Sequence, residues 1–240
     1  MRHISGLQIS LVFILTYFFL FTPYSSDAQV FRKNENYQEF QNKPYYFGLS
    51  LGGSNSRYKV FRGRNFIQGD SISTAEGLRA PGFNVQMIAN LKFGEYIDFR
   101  FLPGFSLVER PIEFTTANGQ NTVRRIESVF AEIPFHIRYK SAPYKDKRAF
   151  VVMGLKYSYD VASNSQTREA ESLIKISPHD FQLEIGAGIQ MFFPYFIFSP
   201  EIKYSQGLGN ILIYNGQLEE SSIMEKILSR VFTFSFNFEG

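Results

Sequence analysis

Histidine is the side chain in this sequence that could most readily act as a general acid or base. The chain has three histidines and no cysteine, which excludes a thiolate metal site, a disulfide and a cysteine nucleophile. His136 would need a serine or aspartate partner at the same height to act as a base. Glu132 and Arg138 lie on the same face of a candidate strand as His136. This arrangement favours a His136 side chain that is hydrogen-bonded inside the protein and has no catalytic role. His179 falls at a junction of loop and strand, where we expect solvent. We therefore predict no enzyme activity, no metal and no cofactor.

Two glycine-rich stretches, at 51–56 and 207–210, could in principle bind a phosphate group. Neither is followed by a helix with the lysine and hydroxyl pair of a phosphate-binding loop. They are more simply the starts of loops, where glycine allows tight backbone geometry. Nucleic acid is not an expected partner either, because 25 basic and 22 acidic residues nearly balance and no long basic patch occurs.

Eight charged residues lie on the polar side of segments that alternate apolar and polar residues. They are Asp98, Arg100, Glu132, Arg138, Lys156, Glu184, Glu201 and Lys203. This set holds equal numbers of acids and bases. If the polar sides face the interior of a small barrel, unpaired charges would be costly there, so each charge needs a partner. We predict that these residues form an ion-pair plug in the lumen.

The segments that carry these charges have the alternation of strands with one apolar face. From residue 44 onward there are eight such candidates of about ten or more residues, enough to cross a bilayer when tilted. Tight connections follow the second, fourth and sixth, and longer ones cover 54–80, 115–124, 161–177 and 207–229. Short turns on one side and long loops on the other are typical of outer-membrane barrels. The sequence predicts an all-β, eight-stranded antiparallel transmembrane barrel of the outer membrane over 44–240.

The last segment carries a row of phenylalanines. Phe232, Phe234, Phe236 and Phe238 alternate with polar residues, so the four rings share one face of a strand. A soluble, lipocalin-like binder would bury that face in a core, whereas a membrane barrel turns it to lipid. We predict that these rings face outer-membrane lipid and that this closing strand pairs with the first. The last aromatic lies two residues before the end, a shifted form of the terminal aromatic that the barrel insertion machinery reads.

The N-terminal residues predict export. A basic start precedes an apolar run at 11–21, and small residues then lead up to Ala28 at the positions that signal peptidase reads. We expect cleavage after Ala28, which makes 1–28 a signal peptide and 29–43 a flexible periplasmic lead-in. An uncleaved membrane anchor is the alternative.

Residues 217–228 have apolar side chains at near-helical spacing, which indicates a short helix in the last long loop. Such a helix would either cap the barrel's own mouth or bind a partner. The sequence leaves both interpretations open.

Four stretches together resemble the PorT family of outer-membrane barrels. They are KPYYFGLSLGGSNS (43–56), LRAPGFNVQMIANLKFGEYIDFRFLPGFSLVER (78–110), FAEIPFHIRYKS (130–141) and MGLKYSYD (153–160). The EIPF motif recurs in related small barrels, so the resemblance rests on the combination and its order. Proteins of this family occur in Bacteroidetes and are needed for type IX secretion and, in gliding species, for motility.

The resemblance implies an accessory component that assists assembly or stability of the secretion machinery, in contact with other type IX components. It implies no catalytic residue and no cofactor. The alternative is a generic small structural or adhesive barrel without a secretion role. A barrel enzyme, such as an acyltransferase or a protease, would need a histidine beside a serine or aspartate at the loop end of the strands.

Overall fold

The computed structural model describes residues 35–62, 72–116, 121–124, 127–162, 176–213 and 224–240 of the chain. The elements in these ranges are α1 (Glu35–Gln41), β1 (Tyr45–Arg62), β2 (Ile72–Gly77), β3 (Ala80–Phe93), β4 (Ile97–Phe101), β5 (Gly104–Glu109), β6 (Ile112–Thr116), β7 (Asn121–Arg124), β8 (Glu127–Lys140), β9 (Lys147–Asp160), β10 (His179–Phe192), β11 (Ile197–Gly207) and β12 (Met224–Glu239). In this part of the chain, no helix is long and apolar enough to cross a membrane. The predicted cleavage site at Ala28 lies outside the described residues.

Nine of the strands form one antiparallel sheet that closes on itself. Its order is β1, β12, β11, β10, β9, β8, then β4 and β5, then β3, which pairs back with β1. β4 and β5 lie end to end between β3 and β8, and their pairing register continues across the break. The ladder is interrupted there because Pro103 and Pro134 have no N–H to donate. The two act as one strand of the wall, so the predicted eight-stranded antiparallel barrel is confirmed.

The first and last strands close the wall. β12 pairs with β1, where Phe236 lies opposite Leu51, and with β11, where Phe234 lies opposite Ile202. The phenylalanine row therefore lies inside a continuous hydrogen-bonded sheet with no free edge.

The two ends of the barrel differ in their connections. At the turn end, short turns join β3 to β4, β8 to β9 and β10 to β11. Lys145 and Asp146 have φ angles of 50° and 56°, the left-handed pair that a two-residue hairpin turn requires. At the opposite, loop end, β2, β6 and β7 form a second sheet of three strands. The long loop predicted at 54–80 is corrected here, because β1 continues to Arg62 and β2 follows it.

The closing strand, β12, begins at Met224, which is earlier than the alternation of the sequence indicated. Residues 224–228 of the predicted helix belong to β12, whereas 217–223 lie outside the described residues. Met224 and Ile227 are both buried, three positions apart. Their helix-like spacing arises because the strand is irregular here, with a register shift in its pairing to β1 between Phe61 and Arg62.

Apolar side chains are buried at the two ends of the barrel. At the loop end the buried cluster consists of Tyr58, Ile112, Phe114, Ile211, Met224 and Ile227. At the turn end it consists of Tyr37, Phe40, Tyr46, Phe192 and Ile197. Between these two clusters the inward side chains are mostly polar, with Ile88, Leu102 and Val152 as buried apolar exceptions.

The predicted flexible lead-in at 29–43 is corrected in part, because it contains α1. Asp146 Oδ1 accepts hydrogen bonds from the backbone N–H groups of Asn36 (3.1 Å) and Tyr37 (3.0 Å) at the start of this helix. Tyr37 also meets Phe192 edge-on, with ring centroids 5.1 Å apart. The helix was not evident in the sequence because its capping carboxylate comes from a turn 110 residues away along the chain.

Candidate functional site

All eight members of the predicted ion-pair plug point into the barrel, and none is more than 6% exposed. They come from β4, β8, β9, β10 and β11, in each of which every second side chain is directed inward. They form two groups, one near the turn end and one in the middle of the lumen.

Arg138 is at the centre of the first group, the Arg138 cluster. Its guanidinium donates to Asp98 Oδ2 (2.7 Å), Asn90 Oδ1 (3.0 Å), both oxygens of Glu239 (3.3 Å) and the hydroxyl of Tyr46. Lys140 holds the other oxygen of Asp98 at 2.5 Å. A guanidinium with fixed planar donors can satisfy several acceptors at once, which suits it to this buried position.

Arg100 extends this network towards the middle of the lumen. It donates to Glu201 Oε2 at 2.7 Å and to Glu239 Oε1 at 3.0 Å. Glu239 is therefore shared by Arg100 and Arg138. Asn237 donates to the same oxygen of Glu201 at 3.2 Å.

The second group, the Lys156 cluster, lies around one lysine. Lys156 Nζ is 3.2 Å from Glu132 Oε1 and 3.2 Å from Glu184 Oε1. Gln86 donates to the other oxygen of Glu132 at 3.0 Å. Lys203 Nζ lies 3.5 Å from Glu201 Oε1, between the two clusters.

These pairs span the width of the barrel. Counting around the wall of eight strands, β8 and β12 are four positions apart in either direction, and so are β11 and the β4–β5 strand. Arg138 to Glu239 and Arg100 to Glu201 therefore join opposite sides of the lumen. A chain of charge-assisted hydrogen bonds across the interior leaves the middle of this small barrel filled.

His136 has a geometry that does not suit catalysis. Its Nε2 lies 2.7 Å from Glu184 Oε2, and Ser205 donates its hydroxyl to the other oxygen of the same carboxylate. The carboxylate stands between the histidine and the serine, whereas a nucleophile needs a direct hydrogen bond to its base. The prediction that His136 lies near Glu132 and Arg138 missed its actual partner, Glu184, which comes from another strand.

His179 and possible metal ligands are the remaining candidates for chemistry in the described residues. His179 lies on the outer surface, where its Nδ1 is 2.7 Å from the hydroxyl of Tyr157. Within the described ranges, no group of three or more histidine, cysteine, aspartate or glutamate residues could hold a metal ion.

Sequence reasoning missed several buried charges of the interior. They are Arg110, Lys140, Arg148, Asp180 and Glu239. Strand alternation could have identified four of them, because Lys140, Arg148, Asp180 and Glu239 share the strand faces of Arg138, Lys156, Glu184 and Asn237. Arg110 follows the end of β5 and lies over the rings of Tyr58 and Phe130, at 5.1 and 4.7 Å, which no local pattern indicates.

The outer wall is apolar. Phe232, Phe234, Phe236 and Phe238 are 40–50% exposed, and Phe198 of β11 stacks on Phe236 with centroids 5.7 Å apart. Met87 and Met153, at the middle of β3 and β9, are 65% and 61% exposed. Exposed tyrosines lie at both ends: Tyr45, Tyr139, Tyr144 and Tyr195 at the turn end, and Tyr159 and Tyr204 at the loop end. Charges inside and apolar side chains outside, with aromatic rings near both rims, reverse the pattern of a soluble barrel and match a transmembrane one.

Comparison with known protein families gives the same assignment. Residues 28–212 match the family described as "Outer membrane protein beta-barrel domain". The outer membrane protein OprG from Pseudomonas aeruginosa is 12% identical, with a TM-score of 0.45, over 82% of this chain and 94% of that chain. Ail, the attachment invasion locus protein of Yersinia pestis, is 13% identical, with a TM-score of 0.35, over 82% of this chain and 100% of that chain. No curated protein matches the sequence. Because the family match covers most of its length, this chain belongs to the outer membrane protein β-barrel domain family and is located in the outer membrane.

Proposed function

We propose that this protein is an accessory component of the type IX protein secretion system, and of gliding motility where that occurs. In this role it assists assembly or stability of the machinery and does not form the conduit. The family resemblance of residues 43–56, 78–110, 130–141 and 153–160 supports the secretion role. Two ion pairs, Arg138 with Glu239 and Arg100 with Glu201, join opposite sides of the lumen. They are the observation that supports a non-conducting role.

Transport through this lumen would require those contacts to separate. Arg100, Arg138, Glu201 and Glu239 are each at most 1% exposed. Breaking a buried pair by withdrawing one partner costs about 3–5 kcal/mol, because the other charge is left without compensation. A cargo protein would have to break several such contacts together, so a supporting role fits the geometry better than a channel role.

The partners in this role are other components of the secretion machinery, in addition to outer-membrane lipid. We propose that such contacts form on the outer wall, at the loop end or through the lead-in of residues 29–43. The filled lumen is not among them.

Depletion of the protein in its native bacterium, followed by proteomics of the culture fluid, tests this function. We expect proteins with type IX sorting domains to disappear from the medium and to accumulate in the periplasm. Restoring the wild-type chain should restore export, and outer-membrane integrity is checked in the same cells. Unchanged export with an intact membrane would refute the secretion role and favour a generic structural or adhesive barrel.

A further inference from the structure

A polar cavity of about 340 Å³ opens at the turn end, between α1 and the ends of the strands. Its walls include Tyr37 of α1, Lys92 at the end of β3, Lys140 at the end of β8 and Arg148 at the start of β9. One water takes up roughly 30 Å³ in the liquid, so the cavity is large enough for a small polar group. The plug residues described above lie deeper in the barrel, and Lys140 connects the cavity to the Arg138 cluster through Asp98.

Arg148 is a buried cation without a carboxylate partner among the described residues. Its side chain is 3% exposed, and its guanidinium donates to Ser141 O (2.7 Å), the Tyr37 hydroxyl (2.9 Å) and Glu95 O (3.0 Å). All three acceptors are neutral. A guanidinium has five N–H donors, so others stay available to a ligand. A buried charge that is hydrogen-bonded but not neutralised is the kind of group that a bound anion stabilises.

Lys92 adds a second cation of the same kind. It is half-buried, its Nζ donates to the backbone carbonyl of Phe40, and it lies 5.5 Å from the centre of the Tyr46 ring. In the described part of the chain it has no salt bridge. Lys140 does have a carboxylate, Asp98, but shares it with Arg138. Among the described residues that line this wall, positive charges therefore outnumber negative ones.

The remaining groups of the cavity suit an anion with several oxygens. Lys43 adds a further exposed cation, and Glu95, on the turn after β3, is the sole acidic residue among the described lining residues. Burial raises the pKa of the Tyr37 hydroxyl above its ordinary value. This hydroxyl therefore stays protonated and keeps an O–H to donate while it accepts from Arg148.

The cavity lies at the height of the membrane surface. Tyr139, which directly precedes the lining residue Lys140, is 59% exposed on the outer wall. Aromatic rings at such positions mark the interface between hydrocarbon and headgroups in membrane barrels. The turn end of outer-membrane barrels faces the periplasm, so the nearest headgroups are those of the periplasmic leaflet.

We propose that this cavity binds a phosphate group, with Arg148 and Lys92 as its main ligands and Tyr37 as an additional donor. Arginine offers paired donors and lysine a point charge, the combination that phosphate oxygens accept well. The phosphate comes either from an anionic phospholipid headgroup or from a free phosphate compound. Through Arg148, Tyr37 and the Phe40 carbonyl, the occupied site would also hold α1 against the barrel. The inference goes beyond the proposed secretion role and does not depend on it.

Native mass spectrometry of the delipidated full-length protein in a zwitterionic detergent tests the site. The probes are phosphatidylglycerol, phosphatidylcholine and glycerol phosphate. We expect the wild-type protein to retain one phosphatidylglycerol in preference to phosphatidylcholine. Lys92→Gln and Arg148→Gln should each weaken that binding by about tenfold, the usual consequence of losing a charged hydrogen bond. Binding of glycerol phosphate with equal affinity would identify a free phosphate compound as the ligand, and selective binding of the lipid would identify the headgroup.

Lys145→Gln is the matched control. Lys145 lies on the adjacent turn over the ring of Tyr144, outside the cavity lining, and should leave binding unchanged. Folding of each variant is checked by its gel mobility before and after boiling. The half-buried Lys92 tolerates glutamine better than the buried Arg148 does, so Lys92→Gln keeps the test valid if Arg148→Gln fails to fold. The proposal is overturned if the wild type does not distinguish the two lipids and ignores glycerol phosphate, or if Lys92→Gln binds as the wild type does.

Discussion

Replacing Arg138 by methionine should lower the free energy of unfolding of the barrel by about 3 kcal/mol or more, the cost of leaving buried charges without a partner. Arg138 is fully buried and pairs with Asp98 on the neighbouring strand β4 and with Glu239 on β12, which lies opposite β8 across the lumen. Methionine fills similar space, so the loss reflects the charge and not a cavity. Lys140 and Arg100 still neutralise part of the two carboxylates. The expected loss in the free energy of unfolding therefore lies near the lower end of the range for buried ion pairs. The measurement is urea unfolding in phospholipid vesicles, followed by gel mobility without boiling.

Arg230→Met is the control for that substitution. Arg230 lies on the same closing strand as Glu239 but is half-buried on the outer face, where it donates to Gln206 Oε1 at 3.0 Å. Exposed polar contacts of this kind contribute about 0–1 kcal/mol. The double variant Arg138→Met, Glu239→Gln should recover part of the stability, because it removes a buried charge together with its partner. Equal urea midpoints for Arg138→Met and Arg230→Met would mean that the network does not stabilise the barrel.

Adding a positive charge to the outer wall should destabilise the barrel nearly as much as removing a positive charge from the lumen. We expect Met153→Arg to destabilise the barrel by about 2–4 kcal/mol, the cost of an arginine at the middle of a bilayer. Met153 is 61% exposed at the centre of β9, opposite Ile137 and Ile185 on the neighbouring strands. At so exposed a position in a soluble protein, the same change would stay within about 0.5 kcal/mol. The unfolding assay in vesicles distinguishes the two cases.

Val161→Arg is the matched control for depth in the membrane. Val161 is 59% exposed, almost as much as Met153, but lies just beyond the loop end of β9. An arginine near the interface costs about 0–1 kcal/mol. If both substitutions have the same small effect, the exposed apolar wall is not in contact with hydrocarbon, and the lipid-facing role of the phenylalanine row would be rejected with it.

The faces of the wall could be predicted from sequence because strand alternation is a local property. Arg138 and His136 point inward because Ile137 between them points outward, and no knowledge of the rest of the fold is needed. The pairing of acids with bases is different. Arg138 and Glu239 are 101 residues apart and meet only because β8 and β12 lie opposite each other in a closed wall. That contact depends on strand count and register, which a single sequence does not reveal at the level of individual side chains.

The ends of the barrel were the least predictable part. α1 has few apolar residues, and its capping group, Asp146, belongs to a distant hairpin turn. The cavity beneath it is formed by residues from α1, three strands and two turns, so no spacing in the sequence indicates it. At the loop end, the apolar spacing of 224–228 had the period of a helix, yet tertiary packing around Ile227 and Tyr58 places these residues in a strand.

The central claim is that buried ion pairs close the lumen, and the most direct test is the electrical conductance of the full-length protein in planar lipid bilayers. Correct insertion is established first by the change in gel mobility on boiling. We predict that the inserted wild-type barrel shows no discrete channel openings. Steady openings of uniform conductance in the inserted wild type would contradict the closed lumen, and with it the proposal that the protein supports the secretion machinery without acting as a conduit.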